Sequence, residues 1–248
     1  MTGVTLFGRL AVVGRGEFVK LLRGAGIEAE GLDANISIKP TMLGLKIDED
    51  LCADNVTAVV RRAAELGSFV RIDMEDHTCT DATLRLYRRI QGAHPTAVGV
   101  VLQSYLHRTT ADVADLLPLS PNIRMCKGIY REPRAIAWED FETIRANFIY
   151  NVDKLLSAGA YVGIATHDPH LVWAGMAAVD RLQVDRDRYE FQMLLGVAGT
   201  LRRKLVTKGH PLRVYVPFGE LWYEYSIRRL RENPNIAGHI IRNLFSRP

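Results

Sequence analysis

The chain has 248 residues, 48% hydrophobic and 24% charged, with a formal net charge of +4 and a pI near 9.0. That length suits one sizeable core, about what a single α/β barrel requires, so residues 1–248 read as one domain. The basic residues are scattered in short clusters such as Arg61-Arg62, Arg88-Arg89, Arg202-Arg203-Lys204 and Arg228-Arg229; no stripe interleaves them with aromatics, which argues against nucleic acid as a partner and leaves attraction to an anionic membrane surface open.

Along the chain, apolar periodicity and Gly/Pro punctuation predict a strand near 3–7, a helix at 16–24, strand 35–39, helix 50–66, strand 69–73 and helix 81–91. The pattern continues with strand 98–103, helix 110–117, strand 122–127, helix 139–157, strand 161–166, helix 169–181 and strand 189–193. Helix 198–208, strand 212–216 and helix 219–232 follow, and a final helix near 235–245 ends the chain. Eight strands alternating with eight helices is the pattern of a closed parallel barrel.

Barrel chemistry sits where strands run into the following loops. Polar residues fall there on seven predicted strands: Lys39, Asp73, Gln103, Arg124 to Gly128, Thr166-His167-Asp168, Gln192 and Tyr215. One such residue is ordinary capping, whereas seven ends on one rim predict a site. Lys39 closes the apolar run Ile36-Ser37-Ile38 and needs a counter-charge there. Gly128 marks a sharp turn or a close approach.

Near the C-terminus, Pro217-Phe-Gly219 is read as breaking the last strand and Pro234 as stopping the next helix. On that helix Tyr225 lies one turn from Arg228 and Arg229, and Arg228 one turn from Glu232. Two adjacent guanidiniums suit a carboxylate bidentately and repel unless an anion lies between them. The alternative is an exposed basic helix, since charged runs are usually solvated faces.

Cys52, Cys79 and Cys126 are far apart and form no Cys-x-x-Cys pair, which suggests neither a disulfide framework nor zinc and fits a reducing cytoplasm. Between Arg124 and Lys127, Cys126 has either an electropositive, thiolate-favouring setting or the role of a small strand filler. His167 and His170 lack a third ligand, so no metal is expected. Arg9, Arg15 and Glu17 interrupt the first apolar stretch, so neither a signal peptide nor a membrane span is expected there. No Gly-x-Gly-x-x-Gly or phosphate-loop motif is found; Gly14-Arg-Gly16 lacks the third glycine.

The segments Ile36-Ser-Ile-Lys39, Val101-Leu-Gln103-Ser-Tyr105-Leu, Arg124-Met-Cys-Lys127-Gly128-Ile-Tyr130, Ala165-Thr-His-Asp168-Pro and Tyr215 to Glu232 together resemble the proline dehydrogenase family, in order from about Asn35 to Leu244. The resemblance implies a distorted (β/α)8 TIM-like barrel with the last helix over the C-terminal rim, holding FAD without a Rossmann domain. It implies L-proline as substrate, 1-pyrroline-5-carboxylate as product and a quinone as electron acceptor. A 1-pyrroline-5-carboxylate dehydrogenase partner and a cytoplasmic location with peripheral membrane contact are the corresponding expectations.

Residue by residue, the resemblance gives the substrate carboxylate to Lys39, Arg228 and Arg229, and a wall around the ring to Leu194, Tyr215 and Tyr225. It places Arg124 near the flavin N5 region, Asp73 and Gln103 at the ring edge or substrate surroundings, Lys127 and Gly128 at the ribityl and diphosphate, and Thr166, His167 and Asp168 at the adenylate. Gln192 and Glu232 join the cofactor set, Glu232 through an arginine. The chain departs from the family at Leu6-Phe-Gly8-Arg9, where Leu-Gly-Glu and a preceding helical arm are usual, and at Asp168, where asparagine is common. Oxidation of hydroxyproline or another cyclic amino acid, and a non-catalytic flavin-binding barrel, are the alternatives.

Overall fold

The computed structural model describes residues 2–8 and 33–218. Eight parallel strands close into a barrel: β1 (Thr2–Gly8), β2 (Ala34–Ile38), β3 (Val70–Ile72), β4 (Val98–Gln103), β5 (Asn122–Cys126), β6 (Tyr161–Ala165), β7 (Tyr189–Leu194) and β8 (Leu212–Phe218). Closure is direct, because β1 pairs in parallel with both β2 and β8. Between the strands lie α1 (Glu49–Glu65), α2 (His77–Gln91), α3 (Thr109–Leu116), α4 (Phe141–Ser157), α5 (Pro169–Arg181) and α6 (Gly199–Thr207).

Alternation explains the layers. Ile36, Ile38, Val70, Ile72, Val98, Val100, Ile123, Met125, Val162, Ile164, Phe191 and Met193 point outward, all at most 5% exposed, and meet helix residues such as Val56, Leu84, Val113, Phe148 and Val172. Each such side chain contributes roughly 1.5–3 kcal/mol by leaving water. Their neighbours one position along, Ser37, Arg71, Arg124, Glu190, Gln192 and Arg213, are polar and also buried, and they point the other way, into the lumen.

Four helices begin at the C-terminal rim with one device. Asp48, Asp76, Asp140 and Asp168 accept from the backbone N–H of Leu51, Thr78, Thr143 and His170, satisfying a donor that a helix start leaves without a partner. The Asp76 cap corrects one expectation: α2 starts at His77 rather than 81, its first turn held by the cap despite the weak helix formers Thr78 and Thr80. The last strand also differs, running through Pro217 to Phe218. The proline is next to last in the strand, so its missing N–H interrupts a ladder that ends there anyway. Pro40 opens a 3-10 helix, Pro40–Leu43, that turns the chain away immediately after Lys39.

Helices predicted at 16–24, 219–232 and 235–245 fall outside the described residues, and with them the helix expected over the rim. Among the described residues no helix is long and apolar enough to cross a membrane.

Candidate active site

Arg124 organises the lumen. Its Nη1 donates to Asp73 Oδ1 at 2.8 Å, its Nη2 to Ser37 Oγ at 3.1 Å, and its Nε to Gln192 Oε1. The guanidinium also lies 5.4 Å from the centre of the Tyr215 ring, and the Tyr215 hydroxyl donates to Asp73 Oδ2 at 3.3 Å. These partners come from β2, the end of β3, β7 and β8, while β5 is hydrogen-bonded only to β4 and β6. Such contacts are possible only across the inside of a closed barrel. Gly163 makes room for them: a Cβ there would lie 2.6 Å from Gln192 Nε2.

A second charged layer lies one residue pair nearer the strand N-termini. Arg213 Nε donates to both oxygens of Glu190 at 2.8 Å, and Glu190 also accepts from Gln192 Nε2 at 2.6 Å. Arg71 donates to the carbonyls of Val100 and Asn122. Burial, then the nearby Arg124 cation, pushes its pKa down to about 9, which still leaves it charged at neutral pH. Three guanidiniums thus meet three carboxylates, Asp73, Glu190 and, at the outer end of Arg213, Asp33 at 3.3 Å, so the charge buried in the lumen is balanced by neighbours within the barrel.

Tyr215, Gln192 and Arg124 were expected at strand ends, and the structure moves them to mid-strand. In a sheared barrel the middle residues of each strand already look into the lumen, so the floor of the site is deeper than the rim. Gln192 spends both ends of its amide within the network, and Asp73 is shared between Arg124 and Tyr215.

Higher up, Lys39 Nζ donates to Tyr130 Oη at 3.4 Å, and buried Gln103 donates to the backbone carbonyl of Glu75 at 3.0 Å. Lys127 reaches Asp168 at 3.3 Å and stands over the Phe141 ring at 4.5 Å. Asp168 receives two bonds of 2.9 Å from Arg145 as well. Burial alone would raise its pKa, but Arg145 and Lys127 outweigh that and hold it below the ordinary carboxylate value. Its oxygens are therefore committed to two cations and the α5 cap. Thr166 Oγ1 accepts from the Asp168 N–H, and His167 Nε2 accepts from the Leu194 N–H at 2.8 Å, so this loop is held against the end of β7.

For Cys126 the structure decides between the two readings. Burial pushes its thiol up to about 11, and the downward pull of Arg124 does not offset this; the small-filler reading holds. Gly128 has φ 109°, and a Cβ there would lie 2.2 Å from Tyr105 Cδ1. Left-handed backbone and ring contact each exclude a side chain, so Gly128→Ala should destabilise the fold by roughly 2–4 kcal/mol. Urea unfolding measures this directly, and a midpoint like that of the wild type would show that the segment moves freely off Tyr105.

Tyr225, Arg228, Arg229 and Glu232 lie outside the described residues. Ser37, Glu75, Tyr105, Tyr130, Arg145 and Glu190 were missed. Period two carried a signal for Ser37 and Glu190, polar between apolar neighbours on strands with no water-facing side. Tyr130 stood unremarked beside Gly128, and nothing local marks the rest.

A closed parallel barrel whose lumen is charged, with its polar residues stepping up to the C-terminal rim, has the (β/α)8 architecture, in which that rim is where active sites are built. The proline dehydrogenase family model matches residues 17–242, and the chain belongs to that family. It is 38% identical to a proline dehydrogenase of Deinococcus radiodurans over 232 residues, covering 92% of this chain and 74% of the relative. It is 37% identical to proline dehydrogenase 2 of Bacillus subtilis over 214 residues, covering 86% and 70%. Among solved structures, proline utilization A from Bdellovibrio bacteriovorus, inactivated by N-propargylglycine, superposes with a TM-score of 0.83 at 22% identity. That match covers 95% of this chain and 30% of the larger protein. The protein from Corynebacterium freiburgense gives 0.77 at 21% identity, with 98% and 29% covered. These two likenesses concern the barrel fold.

Proposed function

We propose that the protein oxidises L-proline to 1-pyrroline-5-carboxylate using FAD, as the first step of proline catabolism, with a quinone as final electron acceptor. The observation that carries the reading is the Arg124 network, a buried cation fixed by four partners at the floor of a site that opens toward Lys39 and Lys127.

The donor set suits a flavin. Arg124 offers positive charge where an electron-rich ring needs it, Gln103 and the rim amides are neutral donors, and Lys127 beside the left-handed Gly128 suits a diphosphate. When bound, FAD supplies the acceptor for a hydride from the proline ring carbon bonded to nitrogen. Lys39, with Arg228 and Arg229, binds the carboxylate and so fixes the ring. Gathered cations also disfavour a further positive charge and lower the pKa of the substrate ammonium, so the amine enters the reaction neutral without a dedicated base. Tyr215, Leu194 and Tyr225 form the wall around the ring. The Tyr215 hydroxyl is turned to Asp73 and its ring lies against the Arg124 guanidinium, so the network that holds Arg124 also fixes the orientation of this wall.

Quinone as acceptor calls for peripheral contact of a cytoplasmic protein with a membrane, and a 1-pyrroline-5-carboxylate dehydrogenase would take the product. The test is absorbance. The purified protein should be yellow, release FAD on acid denaturation, and bleach when proline is added without oxygen. Colour unmoved by proline would leave a non-catalytic flavin binder, and released FMN would remove the adenylate role from Thr166, His167 and Asp168.

A further inference from the structure

The segment between β5 and α4 carries Lys127, Gly128 and Tyr130, and its course is set from outside the site. Glu132 Oε1 accepts from the His77 backbone N–H at 2.9 Å and from the Tyr105 hydroxyl at 3.4 Å, while Oε2 meets His77 Nδ1. The Glu132 side chain is 1% exposed, an unusual place for a carboxylate on a loop unless its hydrogen bonds are worth the loss of water. Burial, then the Glu132 charge, pushes the Tyr105 phenol upward, so that hydroxyl stays protonated and donates.

The same segment is fastened along its length. Tyr105 N donates to Lys127 O and Trp138 N to Tyr105 O, Leu106 bridges Ala137, and Gly128 sits against the Tyr105 ring. On its other side Tyr130, two residues before Glu132, meets Lys39. Beyond Lys39, Thr41 donates through N and Oγ1 to Glu75 at 3.0 and 2.8 Å, two residues before His77. The rim segments after β2, β3, β4 and β5 thus form one cross-linked arc, and Glu132 is the side chain that ties the last of them to two others.

We infer that Glu132, through His77 and Tyr105, is a positioning residue for the substrate carboxylate. It holds Tyr130 where Tyr130 meets Lys39, and so sets the place of the lysine ammonium. The inference rests on the functional reading above for the identity of the substrate. It does not rest on that reading for the clasp itself. Displacing a binding group that acts alike on substrate and transition state raises KM and spares kcat.

The test uses the flavin-loaded full chain with Glu132→Ala, Glu132→Gln and His77→Ala. Glu132→Ala should be cut by trypsin after Arg131 and Arg134 at least about tenfold faster, and its KM for proline should rise about tenfold with kcat within roughly threefold of wild type. Glu132→Gln should restore both readouts, because its oxygen accepts from the His77 N–H and its amide donates to His77 Nδ1 in the tautomer that carries the ring proton on Nε2. His77→Ala, at a partly exposed position, should give the same pattern at smaller amplitude and serves if Glu132→Ala does not fold. Unchanged KM in Glu132→Ala overturns the positioning role, whatever trypsin shows. So does a loss of kcat and KM together that follows flavin content or melting temperature and that glutamine does not rescue. If wild-type protein leaves proline untouched, the functional reading falls and the substrate role with it, while trypsin still decides whether the clasp exists.

Discussion

Arg124→Met should produce the largest combined loss of stability and activity of any single substitution in the described residues. Removing the guanidinium leaves Asp73 buried without its cation and strands one end of the Gln192 amide. A buried pair broken on one side costs about 3–5 kcal/mol, because the remaining charge cannot regain its hydration. Methionine fills similar volume, so a cavity contributes little. Activity should fall by roughly 10²–10³ in kcat/KM, the size expected when one fixed charge facing the reacting group is lost. The double variant Arg124→Met/Asp73→Asn separates the effects: it removes both charges, so most of the stability should return while activity stays low. Urea unfolding and anaerobic proline reduction read the two quantities. If the double variant unfolds as easily as the single one, the cost lies in packing rather than in the charge left on Asp73.

The architecture was legible because the outward face of each strand and the inward face of each helix are both apolar, with different periods. Val98–Gln103 and Pro169–Arg181 emerge with the boundaries that periodicity gives them. The lumen was harder to read. In Val70-Arg-Ile-Asp73 and Tyr189-Glu-Phe-Gln192 the polar positions alternate as they would on an antiparallel sheet with one wet face. Here that face turns inward, and Arg71 is 1% and Glu190 5% exposed. Closure alone makes the difference, and it is a property of all eight strands together.

The rim shows the opposite limit. Lys39, Arg124, Lys127 and Gly128 stood out because cations and a glycine beside apolar strands are locally odd. Glu132 did not stand out, since an acidic residue before a proline on a polar loop is ordinary. Its burial depends on His77, fifty-five positions away, and no local pattern encodes such a contact. Asp168 stood out beside Thr166 and His167, but its contacts did not: its side chain serves Arg145, Lys127 and the start of α5, and these hold the loop on which Thr166 and His167 sit.

The arginine pair bears on which end of the substrate is recognised. Arg228→Met and Arg229→Met, made separately, should each lower kcat/KM for proline by on the order of 2–5 kcal/mol, the cost of truncating one partner of a charged contact in a closed site. Size alone does not tell a carboxylate clamp from a helix that merely closes the pocket. L-prolinamide does, because it keeps the ring and nitrogen but carries no negative charge. Wild-type protein should prefer proline over the amide strongly, since two guanidiniums and Lys39 left facing a neutral group repel one another with nothing between them. Each arginine variant removes one of those cations, so the amide should lose far less than proline and the ratio of the two kcat/KM values should collapse toward one. Lys39→Met, which removes the third cation proposed for the carboxylate, should shift the ratio in the same direction. A ratio that stays at the wild-type value in both arginine variants, with flavin content intact, would put the carboxylate elsewhere and return Arg228-Arg229 to the solvated basic helix that their sequence equally allows.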